Sequence, residues 1–582
     1  MKNKGTLKRL WEYIKRSRMW FVLSVILALI TTILTLYVPV LVGRAVDSIT
    51  GEGMVDFRML SFVLMEIGVV IGITAICQWI MNTINNRITY SVVRDIRNDA
   101  FIKMQRLPLS YIDSHQSGDI TSRIISDADQ MGEGLLMGFT QLFTGIVTIL
   151  GTLYFMFRIN VFIALAVVIL TPISLFVARF IANRTYSMFS EQSVIRGEQT
   201  AFTDEMISNM KVVNAFGQEK PAAEEFDEIN ERLRKSSLRA VFFSSITNPA
   251  TRFVNNIVYA AVALIGAFIA CGSGGAFGFI SVGQLASFLS YANQYTKPFN
   301  EISGVFAELQ NAVACTARLL ELIDAEPEDD KADTELVDVK GRVAMSNVSF
   351  SYQEDKPFIE DLSVSVKPGE NVAIVGHTGC GKTTLINLLM RFYDVKSGSV
   401  SIDGRNIRDM SRKSVRRSFG MVLQETWLKT GTVRDNILMG RTGISDDEVI
   451  SAARAARSWG IIRRLPEGLD TVISNGGGNL SQGEKQLISI TRIMLEPPSM
   501  LILDEATSSI DTRTELAIGK DFNRLMQGRT SFVVAHRLST IRNADTILVM
   551  DSGHIVEQGS HDELIRKNGF YKKLYTSQFA VE

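Results

Sequence analysis

The chain has 582 residues, 46% of them apolar, and a formal net charge of zero from 61 basic and 61 acidic side chains. That length is too great for one globular core, so at least two domains are expected. Balanced charge gives no support for nucleic acid as a partner, and the four scattered cysteines, Cys77, Cys271, Cys315 and Cys380, suggest neither a disulfide framework nor a zinc site.

From the N-terminus, Met1 to Arg18 is basic and amphipathic, with no small-residue cleavage site after a short apolar core, so it is not read as a removed signal peptide. Long apolar runs follow. Met19 to Gly43 has no charged residue, and about 20 apolar residues suffice for a helix to cross a bilayer. Met59 to Thr83 is the second such run, interrupted only by Glu66. Leu135 to Phe157 and Ile159 to Ala178 are the third and fourth. Phe253 to Thr296 is uncharged and too long for one span; Gly272-Ser273-Gly274-Gly275 divides it into two. The expectation is six spans. Seven basic residues before the first span, Lys2 to Arg18, place the N-terminus in the cytoplasm. Spans two and three (through Ile84 to Gly134) and spans four and five (through Arg179 to Arg252) are then joined on the cytoplasmic side. Both connections read as helical arms, with tips near Leu107 to Asp119 and Val213 to Lys220.

Glu326-Pro327-Glu328-Asp329-Asp330-Lys331 reads as a linker, giving a membrane domain over 1–325, a linker over 326–340 and a second domain over 341–582. In that second domain short β-rich runs alternate with helical segments, the pattern of an α/β fold with a largely parallel sheet. Gly376-His377-Thr378-Gly379-Cys380-Gly381-Lys382-Thr383-Thr384 fits G-x-x-x-x-G-K-[ST] between a strand and a helix. Its glycines let backbone N–H groups curl around phosphate oxygens, Lys382 would reach the β- and γ-phosphates, and Thr383 would ligate Mg²⁺. Met500-Leu501-Ile502-Leu503-Asp504-Glu505 is an apolar strand ending in two carboxylates. Asp504 is placed to hold Mg²⁺ and Glu505 to polarise an attacking water.

On these residues the chain resembles a half-transporter of the ABC exporter family along its whole length. The most specific match is Leu480-Ser481-Gln482-Gly483-Glu484, similar to the family signature LSGGQ. The resemblance implies an all-α transmembrane domain of six helices with long cytoplasmic extensions, fused to an α/β P-loop cassette. It implies that Ser481 and Gly483, with Glu484 ending the motif, face the ATP of a second cassette. It further implies that Gln424 senses Mg²⁺ and the attacking water, His536 contacts the γ-phosphate, Tyr352 stacks on adenine, and Ser509-Ile510-Asp511 couples the two sites. The catalytic set is then Lys382, Gln424, Glu505 and His536, with Thr383, Gln424 and Asp504 around the metal. ATP and Mg²⁺ are the implied cofactors. The implied setting is a bacterial plasma membrane crossed several times, with the cassette cytoplasmic and resting on the arm tips.

Two departures stand out: Glu484 where the family has Gln, and Ser474-Asn475-Gly476-Gly477 where many members carry Gly-Glu-Arg-Gly. A complete catalytic set beside an altered signature favours a heterodimer with a partner whose own site is degenerate; a homodimer is the alternative. Glu66 is a functional candidate because it is ionisable within a span, and Asn255, Asn256, Gln284, Asn293 and Gln294 are candidates to line a substrate cavity. The expected function is ATP-driven export of an amphipathic small molecule, drug or lipid by alternating access. The alternatives are an importer of metal-chelating molecules on the same fold and an ATP-gated channel.

Overall fold

The computed structural model describes residues 2–49, 55–271, 280–328, 334–353, 355–422, 426–474, 477–504, 519, 522–534 and 541–579. They divide into two compact units, Met1–Gln105 with Ser117–Ala325, and Arg106–Gln116 with Glu326–Glu582.

The first unit is helical. A short helix α1 (Lys2–Lys15) precedes α2 (Arg18–Asp47) and α3 (Phe57–Met104). After α4 (Leu109–Ser114), which belongs to the second unit, come α5 (Ser117–Ser122), α6 (Ala128–Met137) and α7 (Phe143–Ile159), joined by two π-helical turns into one continuous run. Then follow α8 (Val161–Ser208), α9 (Met210–Ala215), α10 (Glu219–Cys271) and α11 (Val282–Asp324). Six long helical segments thus occupy the places of the six expected spans. Among the described residues, Arg18–Asp47, Phe57–Met104, Ser117–Ile159 and Arg252–Cys271 are long and apolar enough to cross a membrane, and Val161–Thr171 is a shorter apolar stretch. The glycine-rich loop expected at 272–275 lies outside the described residues.

Local sequence explains where these helices begin. Asp56 accepts from the N–H groups of Arg58 (3.1 Å) and Met59 (3.0 Å) and so caps α3. Asn160 caps α8 through Phe162 and Ile163, which places the break between spans three and four one residue beyond the expected start at Ile159. α2 and α11 approach closely at Gly43 and Gly283, where a Cβ on Gly283 would lie 2.0 Å from the Gly43 carbonyl oxygen. Tyr291 and Ser287 of α11 then donate to the carbonyls of Leu36 and Pro39 of α2. A buried cluster including Leu36, Met156, Ile163, Val167, Phe288 and Tyr291 fills the space between helices. The second arm is an antiparallel pair, α8 against α10, joined by polar contacts along its length. Gln192 bonds Ser237 at 2.9 Å, Gln199 bonds Asn230 at 3.1 Å, and Glu198 pairs with Arg232 at 2.5 Å.

The second unit contains β1 (Val343–Phe350), β2 (Ile359–Val366), β3 (Asn371–Val375), β4 (Ser397–Ile402), β5 (Arg405–Asn406), β6 (Phe419–Val422), β7 (Gly431–Thr432), β8 (Val472–Ile473), β9 (Met500–Asp504), β10 (Thr530–Val534), β11 (Thr546–Asp551) and β12 (His554–Gly559). Its central sheet runs β12-β11-β3-β10-β9-β6, all parallel except β12. Strands buried on both faces read as continuous apolar runs, as Val372–Val375 of β3 and Met500–Leu503 of β9 do, while β10 is buried throughout and apolar from Phe532 on. An antiparallel sheet β2-β1-β4-β5 forms a second layer, and α12 (Lys382–Leu389) packs in the core beside both. A helical subregion holds α14 (Val433–Leu438), α15 (Asp446–Ala455), α16 (Trp459–Ile462) and α17 (Gln482–Leu495) around its own apolar cluster; α13 (Arg412–Arg417) precedes β6.

Candidate functional site

β3 ends in the middle of the parallel sheet and delivers the chain into the glycine-rich loop. A Cβ on Gly376 would lie 2.2 Å from the Met550 carbonyl oxygen, so only glycine lets the loop sit this close to β11. Gly381 holds φ +109° immediately before α12, a conformation that side chains rarely adopt. Within the loop the Cys380 N–H donates to the His377 carbonyl, and the Gly553 N–H donates to that of Cys380. Lys382 is buried and folds back over the loop, its Nζ donating to the carbonyls of Gly376 (2.9 Å) and His377 (3.0 Å). His377, Thr378, Gly379 and Thr383 are exposed, whereas Cys380 and Thr384 are buried. Burial raises the Cys380 thiol above its ordinary value against the opposing pull of Lys382, so it stays a neutral packing group. The loop therefore presents backbone, a helix N-terminus and a lysine on one side, a cradle that fits polyphosphate.

Tyr352 stands beside this loop. Its hydroxyl is 2.9 Å from the Thr384 hydroxyl, and its half-exposed ring is held edge-on by Phe350 and Tyr393. Asp504 is the last residue of β9, level with Val534 of the neighbouring β10. Gln424, Glu505, His536 and Ser509–Asp511 lie outside the described residues, as do Asn475 and Gly476 of the second departure. The strands that precede Gln424, Glu505 and His536 are β6, β9 and β10. They run parallel to β3 and end at the same edge of the sheet as the glycine loop, where ligands of such sheets bind. Among the described residues no three of His, Cys, Asp or Glu cluster as a metal cage. An exposed Thr383 and a half-buried Asp504 fit the sparse protein ligation of Mg²⁺ held mainly by phosphate and water.

The signature opens α17. Ser481 caps the helix, and Glu484 completes a capping box: its Oε2 accepts from the Ser481 N–H at 2.8 Å and from the Ser481 hydroxyl at 2.9 Å. The Glu484 carboxylate thus has a local structural task, and the S-x-x-E spacing in the sequence carries that signal. Gly483 is buried, whereas Gln482, a third departure at the position where the family pattern has glycine, is exposed.

The segment Arg106–Gln116, from the tip of the first arm, packs within the second unit. Leu109 of α4 rests on the cassette core, the Tyr393 hydroxyl donates to the Asp113 carboxylate, and the Glu328 N–H donates to the Arg106 carbonyl at 2.7 Å. Burial, and then the bond to Asp113, raise the Tyr393 phenol far above its ordinary value, so it remains a donor. Tyr393 sits on a basic network. Asp394 pairs with Arg391 and Arg412, and Glu328 pairs with Arg412 and Arg416. Burial pushes the Asp394 carboxyl up, but the two guanidinium groups outweigh it and hold it below its ordinary value. Apart from Arg391 and Asp394, three residues apart, these partners are distant in sequence, and no motif announced them. The second tip, α9, exposes Met210, Val212 and, just beyond it, Phe216.

In the helical unit Glu66 accepts from the Tyr37 hydroxyl at 3.1 Å. Gln294 and Ser290 line a cavity of about 470 Å³ with Thr31, Thr35, Thr74 and Gln78. The Oε1 of Gln294 and the hydroxyl of Thr31 are buried there without a hydrogen-bond partner. Gln284 is exposed, and its Oε1 accepts from the Ser281 N–H in the capping box that starts α11. Asn256 and Asn293 are exposed, and Asn255 keeps an unbonded buried Oδ1.

A phosphate-binding loop, an α/β sheet and a signature helix fused to six long helical segments define an ATP-driven membrane transporter. Family comparison gives the same result. Residues 21–299 match the family model of the ABC transporter transmembrane region, and residues 359–508 match that of the ABC transporter. A fatty acid ABC transporter ATP-binding/permease protein of Mycobacterium bovis is 40% identical over 91% of this chain and 84% of its own. The uncharacterized ABC transporter ATP-binding protein YfiC of Bacillus subtilis is 36% identical over 99% and 94%. An ATP-dependent lipid A-core flippase of Syntrophus aciditrophicus is 34% identical over 98% and 94%. Among solved structures, a bacterial Atm1-family ABC exporter with ATP bound matches with a TM-score of 0.77 and 27% identity, covering 97% of this chain and 98% of the other. The chain belongs to the ABC transporter family, as an exporter-type half-transporter with one transmembrane region and one cassette.

Proposed function

We propose that the chain exports an amphipathic small molecule or lipid across a bacterial cell membrane by alternating access driven by ATP hydrolysis. The observation that carries this is the Lys382-centred phosphate cradle on the same sheet edge where β6, β9 and β10 end. Lys382 and the loop hold the phosphates, and Tyr352 stacks on the adenine. Thr383, Asp504 and Gln424 would hold Mg²⁺, which would neutralise phosphate charge. Glu505 orients the attacking water and His536 contacts the γ-phosphate. Names borne by relatives, a fatty acid transporter and a lipid A-core flippase, favour an apolar-chained cargo. The likeness to an exporter structure favours outward flux over import.

A dimer is the working unit, and three apolar residues exposed around α9 support a contact with a second subunit. We favour a heterodimer. Glu484 no longer argues for it, since its capping box accounts for it, but the exposed Gln482 does: a long side chain stands where the family's glycine would face a partner's ATP. The test is ATP hydrolysis by the purified chain in lipid nanodiscs, with Glu505→Gln as control. The expected result is binding of ATP with little hydrolysis until a second, co-expressed half-transporter is supplied. Full hydrolysis by the chain alone, lost in Glu505→Gln, would establish a homodimer. Failure to bind ATP in any form would contradict the assignment.

A further inference from the structure

The helical unit has an apolar cavity of about 630 Å³ away from the nucleotide site, between α1, the start of α2 and the run from α6 to α7. Its size lies within the range of small-molecule pockets. Leu10, Ile14, Val25, Leu135 and Phe143 line it, and its polar residues are Lys8 and Ser24. Ser24 is committed to Asn85. Trp11 stands on the wall in edge-to-face contact with Phe21, which in turn contacts Phe139.

Charge on α1 is mostly basic, with Glu12 its one carboxylate. Arg9 pairs with Asp324 and Arg16 with Asp95, whereas Lys8, Lys15 and Arg18 are exposed or half-exposed with no ion pair among the described residues. α1 is a basic amphipathic helix just before the first span, the arrangement of a helix lying in the cytoplasmic headgroup layer. Its apolar face meets α2 through Trp11 and Phe21, and the cavity stands between the rest of that face and α7. A filler must therefore be apolar along its body and negative at the end that meets Lys8.

We propose that this cavity is a binding site for an anionic glycerophospholipid of the cytoplasmic leaflet, with an acyl chain among Leu10, Ile14, Val25 and Phe143 and the phosphate on Lys8. The site shares no lining residue with the cavity at Thr31 and Gln294 or with the phosphate loop. The lipid completes the packing of α1 against the bundle.

The test uses the full chain in phosphatidylcholine nanodiscs containing a minor share of either phosphatidylglycerol or phosphatidylcholine brominated near the headgroup end of the chains. Bromine quenches tryptophan at contact, and the Trp11 contribution is the difference between the wild type and Trp11→Phe. The expected result is stronger Trp11 quenching by brominated phosphatidylglycerol. One lysine near a membrane surface contributes about a fivefold preference, which Lys8→Gln should remove. Val25→Phe, which narrows the cavity, should reduce quenching by both lipids. Lipid counting by native mass spectrometry repeats the comparison independently of Trp11→Phe, and melting curves check that each variant folds. Equal quenching by both lipids, a preference that survives Lys8→Gln, or quenching indifferent to Val25→Phe in folded protein would each overturn the proposal.

Discussion

Glu484 shows how a single side chain changes meaning once its neighbours are known. As a letter in a motif it suggested a carboxylate near phosphate; in the fold it bonds back to Ser481 and satisfies the first turn of α17. Loss of a capping interaction costs about 1 kcal/mol. Glu484→Ala is therefore expected to destabilise the cassette by about that amount in denaturant titration, whereas Glu484→Gln, which keeps the box, should leave stability near wild type. A large rise in ATP affinity in Glu484→Gln would instead place the carboxylate against the nucleotide. His561 gives a pH prediction. Burial, and then the charge of Arg542, hold its imidazole below the ordinary value of 6.5, and its Nδ1 lies 2.7 Å from the Tyr571 hydroxyl. As pH falls, the unfolded chain takes up the proton first, so this stability is present above about pH 6.5 and is lost below it. The thermal midpoint of the wild type should fall more between about pH 7 and about pH 5 than that of His561→Gln, measured in parallel. The glycine loop was legible because its nine residues are contiguous and their chemistry is local. Lys382 folding onto Gly376 and His377 is a conformational detail that no spacing could show.

At the scale of elements, hydropathy located the long helices because a bilayer demands long apolar runs, and four of them among the described residues are long and apolar enough to cross one. It could not show how far α3, α8 and α10 continue as polar helix beyond those runs, since tertiary pairing such as Glu198 with Arg232 sustains them. The position of the first arm tip between helices marks it as a contact point, and Arg106–Gln116 packs within the second unit. Asp113 and Tyr393, by contrast, are 280 residues apart, and their hydrogen bond is a product of folding. α4 is short, and its place on the cassette core depends on Leu109, Asp113 and the backbone of Arg106. Asp113→Ala and Tyr393→Phe should each weaken transport several-fold more than ATP binding, and the double variant should be little worse than either single one. That pattern is checked by parallel transport and nucleotide-binding assays in a double-mutant cycle. Additive losses would mean that the two side chains act separately.

For the whole molecule, one chain unites a helical unit with six long helical segments and a cassette unit built around a six-stranded sheet. The family pattern in the sequence already implied this union, because the motif order from Tyr352 to His536 is contiguous information that survives without coordinates. The cargo is where sequence reasoning ran short. A cavity lined by Thr31, Gln294 and their neighbours is assembled from three helices, and single polar letters in apolar runs do not reveal which of them converge. Gln284 was such a letter, and it proved to be a helix cap. The central claim, that ATP hydrolysis drives an apolar-chained amphiphile outward, has one direct measurement. Inside-out membrane vesicles containing the chain, with its partner half-transporter where one is required, are supplied with a fluorescent acyl-chain amphiphile. The account expects ATP-dependent accumulation inside the vesicles that is abolished by Glu505→Gln. ATP-dependent depletion from the vesicle interior, or accumulation unchanged in Glu505→Gln, would contradict it.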